Sequence, residues 1–173
     1  MPETTSVATR TNDQGSDLNV IEAWSTSNNV RNNPSFSSST GDITLRFENL
    51  SVPSGATING LEITVEGQGN NFAATPLIFL NNQSDNSDSL APSAAFNKSD
   101  QTVTYGDEST LWGLQWTPTT ANSVIATIDM STIASGVLFW DHVFMTVYYT
   151  EGVSPPLKLT SGLIQLTLGK ITI

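Results

Sequence analysis

The sequence predicts an all-β protein, an antiparallel β-sandwich of jelly-roll-like type with extended N- and C-terminal arms. Short runs of alternating apolar and polar residues recur along the chain, and segments rich in Gly, Pro, Asn and Ser separate them. No stretch sustains the 3.6-residue period of an amphipathic helix. The chain has 173 residues and no cysteine, so its length must supply a hydrophobic core without disulfides.

The clearest strands are predicted between residues 42 and 67. Apolar and polar residues alternate through Asp42–Glu48 and again through Gly60–Gly67, which is the period of a sheet with one solvated face. Pro53 and Gly55 predict a corner between these two strands, because proline presets a turn dihedral and glycine accepts a positive φ. The dipeptide Asn59-Gly60 predicts a second reversal.

Further strands are expected downstream, with two candidates for a helical turn. The segment Asp141–Glu151 is the expected partner of the strands described above. Strand-like runs recur at Thr75–Leu80, Thr102–Tyr105, Val124–Met130 and Val137–Tyr149, whereas Pro92–Phe96 and Thr119–Ser123 could form at most single helical turns. Many short strands with turn residues between them are typical of a sandwich.

The sequence indicates one domain, residues 18–151, between an N-terminal arm of residues 1–17 and a C-terminal β-arm of residues 152–173. Residues 1–17 carry few apolar side chains to offset a backbone ordering cost of about 1–2 kcal/mol per residue, so we expect a neighbouring chain to order them. The C-terminal arm alternates clearly and could pair either with its own sheet or with a neighbouring subunit. The residues expected to contact a partner are Val7, Leu157, Leu159, Leu163, Ile164, Leu166, Leu168, Ile171 and Ile173.

Charge and hydropathy disfavour two classes of partner. The chain has six basic and sixteen acidic residues, which gives a formal net charge of −10. A protein surface with this excess of negative charge repels phosphate backbones. No window approaches 18 consecutive apolar residues, and the N-terminus lacks the basic and apolar regions of a signal peptide. We therefore expect neither nucleic acid nor a membrane as a partner.

The sequence contains no recognisable catalytic motif, so we expect no enzymatic activity and no cofactor. His142 is the only histidine, and its neighbour Asp141 should point to the opposite face of a strand, which prevents a base and orienter pair. Glu62 and Glu66 share a strand face but should lie about 13 Å apart at roughly 3.3 Å per residue. That separation is too long for the paired carboxylates of a glycosidase.

Two weaker ligand sites deserve consideration. Asp85 and Asp88 lie in a loop with oxygen ligands of the kind that calcium takes, but the loop lacks the spacing, glycine and glutamate of an EF-hand, and an ordinary solvated turn is favoured. Trp112 and Trp116 are four residues apart, so a regular strand would place both on one face, where they could stack on a ligand. Core packing is the common alternative for tryptophans.

Several segments together resemble a β-sandwich module that recurs in structural proteins of tailed bacteriophages. They are Trp24, LSVPSGATINGLEITVEG at Leu50–Gly67, YGDESTLWGLQWT at Tyr105–Thr117 and DHVFMTVYYTE at Asp141–Glu151. The resemblance covers roughly residues 20–151 and is to modules of head-decoration, tail and fibre proteins. It implies a β-sandwich without catalytic residues, and it leaves both arms outside the matched module.

The resemblance implies a capsid decoration or cement protein that stabilises the head lattice of a bacteriophage through its terminal arms. The expected partners are the major capsid protein or other virion proteins and further copies of the chain, as a homotrimer. The expected location is the virion, assembled in the host cytoplasm. The alternative is a receptor-binding or carbohydrate-binding module of a tail or fibre, with Trp112 and Trp116 as its stacking residues.

Overall fold

The computed structural model describes residues 2–7, 9–12, 35–36, 42–70, 74–133 and 137–152, and these form antiparallel β-strands in two sheets with little helix. The predicted all-β class is therefore confirmed. The strands are β1 (Glu3–Val7), β2 (Thr9–Asn12), β3 (Ser35–Phe36), β4 (Ile43–Glu48), β5 (Thr57–Asn70), β6 (Leu77–Asn81), β7 (Gln101–Gly106), β8 (Ser123–Asp129) and β9 (Val137–Thr150), and the helical elements are α1 (Pro118–Ala121) and a 3-10 turn (Met130–Thr132).

The nine described strands divide between a five-stranded and a four-stranded sheet. The large sheet has the order β1-β9-β5-β7. β3 also pairs with β9, near the start of that strand. The small sheet has the order β2-β4-β8-β6. The predicted strand from Asp42 and the predicted strand from Gly60 thus belong to different sheets, and the corner between them carries the chain from one sheet to the other.

That corner forms where proline and glycine predict it. The Ala56 amide donates to the Pro53 carbonyl over 3.1 Å, and Gly55 has a φ of +88°, which L side chains rarely adopt. The predicted helical turn at Thr119–Ser123 corresponds to α1, which a capping box of Thr117 and Thr120 begins. The other candidate, Pro92–Phe96, forms no helix, which agrees with the limit of at most a single turn.

The longest ladder joins β5 to β9, as the sequence predicts for the downstream partner. The pairing extends from Thr57 opposite Thr150 to Asn70 opposite Val137, with two register shifts. One shift leaves Asn59 as an extra residue, so the predicted reversal at Asn59-Gly60 is wrong and a β-bulge stands in its place. The other shift leaves Asp141 as the extra residue on β9.

The inner positions of both sheets contribute to one hydrophobic core. Buried and half-buried residues alternate along β4 and along β8, and the same period continues in β5 and β9. The largest fully buried side chains are Trp140, Tyr105, Phe47, Phe96, Ile43, Leu45, Leu50, Leu61, Ile63 and Ile78. They come from strands of both sheets and from the connections between them.

The N-terminal strands pair with strands of their own chain. β1 pairs with β9, with Val7 opposite Phe144, and β2 pairs with β4. These pairings give residues 3–7 and 9–12 main-chain partners within the chain, and the expectation that a neighbouring chain orders the arm stays a prediction. The predicted boundary near residue 18 and the C-terminal arm beyond residue 152 lie outside the described residues.

No helix among the described residues has the length and apolar character needed to cross a membrane.

Candidate functional site

A depression of about 630 Å³ opens on the outer face of the small sheet, and we call it the acidic depression. Its volume lies within the range of small-molecule sites. It is lined by Asp42, Phe79, Asn86, Ser87, Thr127, Asp129 and Ser131. Among the described lining residues two are aspartates and none is lysine or arginine, so this part of the lining is acidic.

Strand register brings the two carboxylates of the depression together. Ile43 is opposite Ile128 in the β4–β8 ladder, so Asp42 and Asp129, one residue further along each strand, face each other across the ladder. Asp129 Oδ1 accepts hydrogen bonds from the Ser131 amide over 2.9 Å and from the Ser131 hydroxyl over 2.6 Å. These bonds hold the Asp129 carboxylate at the end of β8.

Phe79 and Thr127 form the floor of the depression. They are opposite each other in the β6–β8 ladder, and both are half-buried, whereas Ile78, Leu80 and Ile128 beside them are fully buried. Alternation therefore turns the phenyl ring and the hydroxyl away from the core. An aromatic ring thus lies between polar groups on a solvated surface.

The loop after β6 closes one side of the depression. Ser87 is buried, and its hydroxyl accepts from the Leu80 amide over 2.6 Å and donates to the Asp88 carbonyl over 2.7 Å. Asn81 Nδ2 donates to Asn86 Oδ1 over 2.9 Å. These hydrogen bonds fix the position of Asn86 relative to the sheet.

The loop that contains Asp85 and Asp88 is organised by asparagine. Asn82 Oδ1 accepts from the amides of Ser84 and Asp85 over 3.1 and 2.9 Å, which is an Asx-type turn. Asp85 and Asp88 are both exposed. Within the described residues no three His, Cys, Asp or Glu side chains gather as a metal site would require.

The outer face of the large sheet carries a second feature, a row of ring side chains along β9 that we call the β9 ring row. Its members are Phe139, His142, Phe144 and Tyr148, all half-buried. The rings of His142 and Phe144 lie 5.1 Å apart between centroids. His142 is opposite Glu66 in the β5–β9 ladder. The bulge at residue 141 is what keeps Phe139 and His142 on the same side of the sheet.

Trp112 and Trp116 do not form a joint stacking surface. Trp112 is 2% exposed, and its indole nitrogen donates to the Leu61 carbonyl over 2.8 Å, so its ring belongs to the core. Trp116 is half-buried, and its indole nitrogen donates to the Leu111 carbonyl over 2.9 Å. The expectation of one shared strand face is wrong, because the segment lies in a loop where Trp112 has a φ of +58°.

Burial and hydrogen bonding shift the pKa of two groups outside both features. Burial raises the pKa of the Tyr105 phenol far above its usual value, and its hydroxyl donates to the Pro76 carbonyl over 3.2 Å. Hydrogen bonds from the Ser109 amide, the Thr110 hydroxyl and the Ser109 hydroxyl lower the pKa of the exposed Asp107 carboxyl. Both arrangements are those of structural groups in a core and in a turn.

Neither the acidic depression nor the β9 ring row is predicted by the sequence analysis above. Asp42 and Asp129 are 87 positions apart in the sequence, and only the β4–β8 register shows that they meet. The outward position of Phe79 could have been recognised from the alternation in its strand, because Ile78 and Leu80 flank it. The residues predicted for the C-terminal arm lie outside the described residues.

Comparisons with protein-family models, with curated proteins and with solved structures found no match to this chain.

Proposed function

We propose that this chain is a bacteriophage virion structural protein, a decoration or cement protein that binds the head lattice as a homotrimer, and that its two sheets pack face to face as a β-sandwich. The supports are the sequence resemblance, the two antiparallel sheets that share one core, and a surface suited to protein contact. The β9 ring row is the observation on which this proposal depends.

The β9 ring row has the composition of the centre of a protein interface. Aromatic side chains are enriched in interface cores, and an apolar row on an otherwise polar sheet face marks a contact site. Thr146 lies between Phe144 and Tyr148 on β9 and is 5% exposed, and Thr64, opposite Phe144 on β5, is 6% exposed. The centre of this face is therefore already poorly hydrated, which lowers the desolvation cost of covering it.

The proposed partner of this face is the major capsid protein or another virion protein. A contact made only in the assembled lattice stabilises the particle by linkage, because it lowers the free energy of the assembled state alone. A homotrimer would engage several lattice subunits at once and would gain from effective concentration. In this reading the protein acts by binding in the virion, and no catalytic step is involved.

Binding to heads tests the proposal. Purified protein is added to phage heads that lack it, and the bound fraction is measured by sedimentation together with the temperature at which the heads break. We expect wild-type protein to bind and to raise that temperature. Phe144→Ser should weaken binding by at least about tenfold, as expected for an aromatic anchor.

The matched control is Phe79→Ser, which removes a half-buried phenylalanine from the outer face of the other sheet. It should leave head binding unchanged. The proposal is wrong if wild-type protein fails to bind heads, or if Phe144→Ser, shown to be folded, binds as tightly as wild type.

A further inference from the structure

We infer that the acidic depression binds the ring of a neutral sugar, with Phe79 as the stacking residue and Asp42, Thr127 and Asn86 as hydrogen-bonding residues. This site lies on the small sheet, whereas the proposed head-binding surface lies on the large sheet. The inference therefore adds a ligand site to the proposed function and does not depend on it.

Shape and composition first favour a small polar ligand with one apolar face. The depression of about 630 Å³ has room for one or two sugar rings and is open to solvent on one side. A pyranose ring presents hydroxyl groups at its rim and C–H groups on its face. Phe79 offers a half-buried aromatic surface for the C–H face, with polar groups around it.

Hydrogen-bonding capacity in the depression matches hydroxyl groups. Within the described residues, the Asp42 carboxylate and the Thr127 hydroxyl make no hydrogen bond or ion pair, and Asn86 Nδ2 is likewise available while its Oδ1 is engaged by Asn81. An ionised carboxylate accepts, an amide nitrogen donates, and a hydroxyl does both. A sugar hydroxyl also does both, so it can use all three groups together.

Charge narrows the class of sugar. Asp42 and Asp129 face each other across the ladder, and the described lining residues include no lysine or arginine. A sialylated or phosphorylated ligand would add like charge beside two carboxylates, which is destabilising. A metal ion fits poorly, because no third carboxylate or imidazole joins this pair within the described residues. The observations thus favour a neutral sugar.

Hydrogen bonds and strand pairing hold the side chains of the depression in place before a ligand arrives. Two hydrogen bonds from Ser131 hold Asp129, and one from Asn81 holds Asn86, so a ligand does not need to reorder these side chains. Polar groups fixed before binding cost less conformational entropy when the ligand arrives. Phe79 and Thr127 are set by strand pairing.

NMR titration of the full chain tests the inference. The probes are neutral oligosaccharides of glucose, galactose, mannose and N-acetylglucosamine, with sialyllactose as the anionic probe and calcium chloride as the cationic one. We expect at least one neutral oligosaccharide to shift the amide signals of residues 42–44, 79 and 127–131. Phe79→Ala should weaken that binding by about tenfold, because stacking contributes about 1.4 kcal/mol.

Two further variants separate recognition from folding. Phe79→Tyr keeps the aromatic face and should retain binding, and Asp42→Asn should weaken binding because it replaces a charged acceptor by a neutral one. Phe144→Ala on the other sheet should leave sugar binding unchanged. Head binding of the Phe79→Ala protein, measured in parallel, should equal that of wild type.

The inference is overturned if no neutral oligosaccharide shifts these signals, if the shifts map elsewhere, or if folded Phe79→Ala binds as well as wild type. It is also overturned if only sialyllactose or calcium shifts them. Each of these results leaves the head-binding proposal standing, because that proposal is tested with particles and with Phe144.

Discussion

At the scale of single residues, Trp112 shows how one side chain can close part of a core. Its positive φ of +58° turns the ring inward from a loop, and the ring reaches the Leu61 carbonyl. Gly106 leaves the room for this approach, since a Cβ there would lie 2.9 Å from the Trp112 indole nitrogen and 2.5 Å from the Leu61 carbonyl oxygen. Trp112 is therefore a packing residue that depends on a glycine.

Replacing Trp112 should destabilise the fold far more than replacing Trp116. Trp112→Phe removes buried volume and leaves the Leu61 carbonyl without its donor, so we expect a loss of about 2–4 kcal/mol in the free energy of unfolding. Trp116→Phe should cost less than about 1 kcal/mol, because its ring is half-buried. Urea denaturation measures both values, and equal losses would contradict this assignment.

Asp107 should titrate below its ordinary pKa of 3.8, because three hydrogen bonds favour the charged form in the folded state. Its contribution to stability is then present above pH 3.8 and is lost as the pH falls through the folded pKa. NMR titration of the side-chain carboxyl carbon measures the midpoint. Thr110→Val should raise that midpoint, and a wild-type midpoint at or above 3.8 would contradict the argument.

At the scale of elements, one side chain joins the corner after β4 to the start of β8. Asn122 Oδ1 accepts from the Val52 amide over 2.7 Å, and its Nδ2 donates to the Val52 carbonyl over 3.2 Å. The side-chain amide thus satisfies both main-chain groups of a buried residue, as a neighbouring strand would. The link spans 70 positions of sequence.

Asn122→Ala should lower the free energy of unfolding by about 1–3 kcal/mol, because it leaves two main-chain groups of Val52 unsatisfied. Asn122→Asp keeps the acceptor for the Val52 amide and should cost less. The exposed α1 residue Thr119 supplies the control, and Thr119→Ala should change stability by less than about 0.5 kcal/mol. Thermal or urea unfolding measures the three variants. If Asn122→Ala lost no more unfolding free energy than Thr119→Ala, the stabilising role of Asn122 would be contradicted.

The elements also show where sequence patterns succeed and where they fail. Alternation predicted β4, β6, β7, β8 and β9 closely, because a sheet with one buried face imposes a two-residue period. The dipeptide Asn59-Gly60 predicted a turn because its local preference is strong, yet it forms a bulge within β5. Thirteen residues of β5 pair with β9, and this long ladder overrides the local preference of two residues.

At the scale of the whole molecule, the described core draws its members from residues 43 to 149. Deleting residues 157–173 should therefore leave a cooperatively folding chain. Most of the partner contacts that the sequence predicts lie in these residues, and the sequence therefore predicts that the same deletion abolishes binding to phage heads. Calorimetry and sedimentation with heads measure the two effects. Unfolding of the deleted chain would show instead that the segment is an internal strand.

The sequence by itself determined the all-β class, the approximate positions of strands β4 to β9, the corner at Pro53 and Gly55, and the net acidic charge. These properties follow from local periodicity, turn preference and composition, and none of these depends on contacts between distant parts of the chain. Only the tertiary structure decided that Trp112 is buried, that β1 and β2 complete sheets of their own chain, and that Asp42, Phe79 and Asp129 line one depression. The physical reason is strand register, which brings distant positions to one face through hydrogen bonds that no local pattern contains.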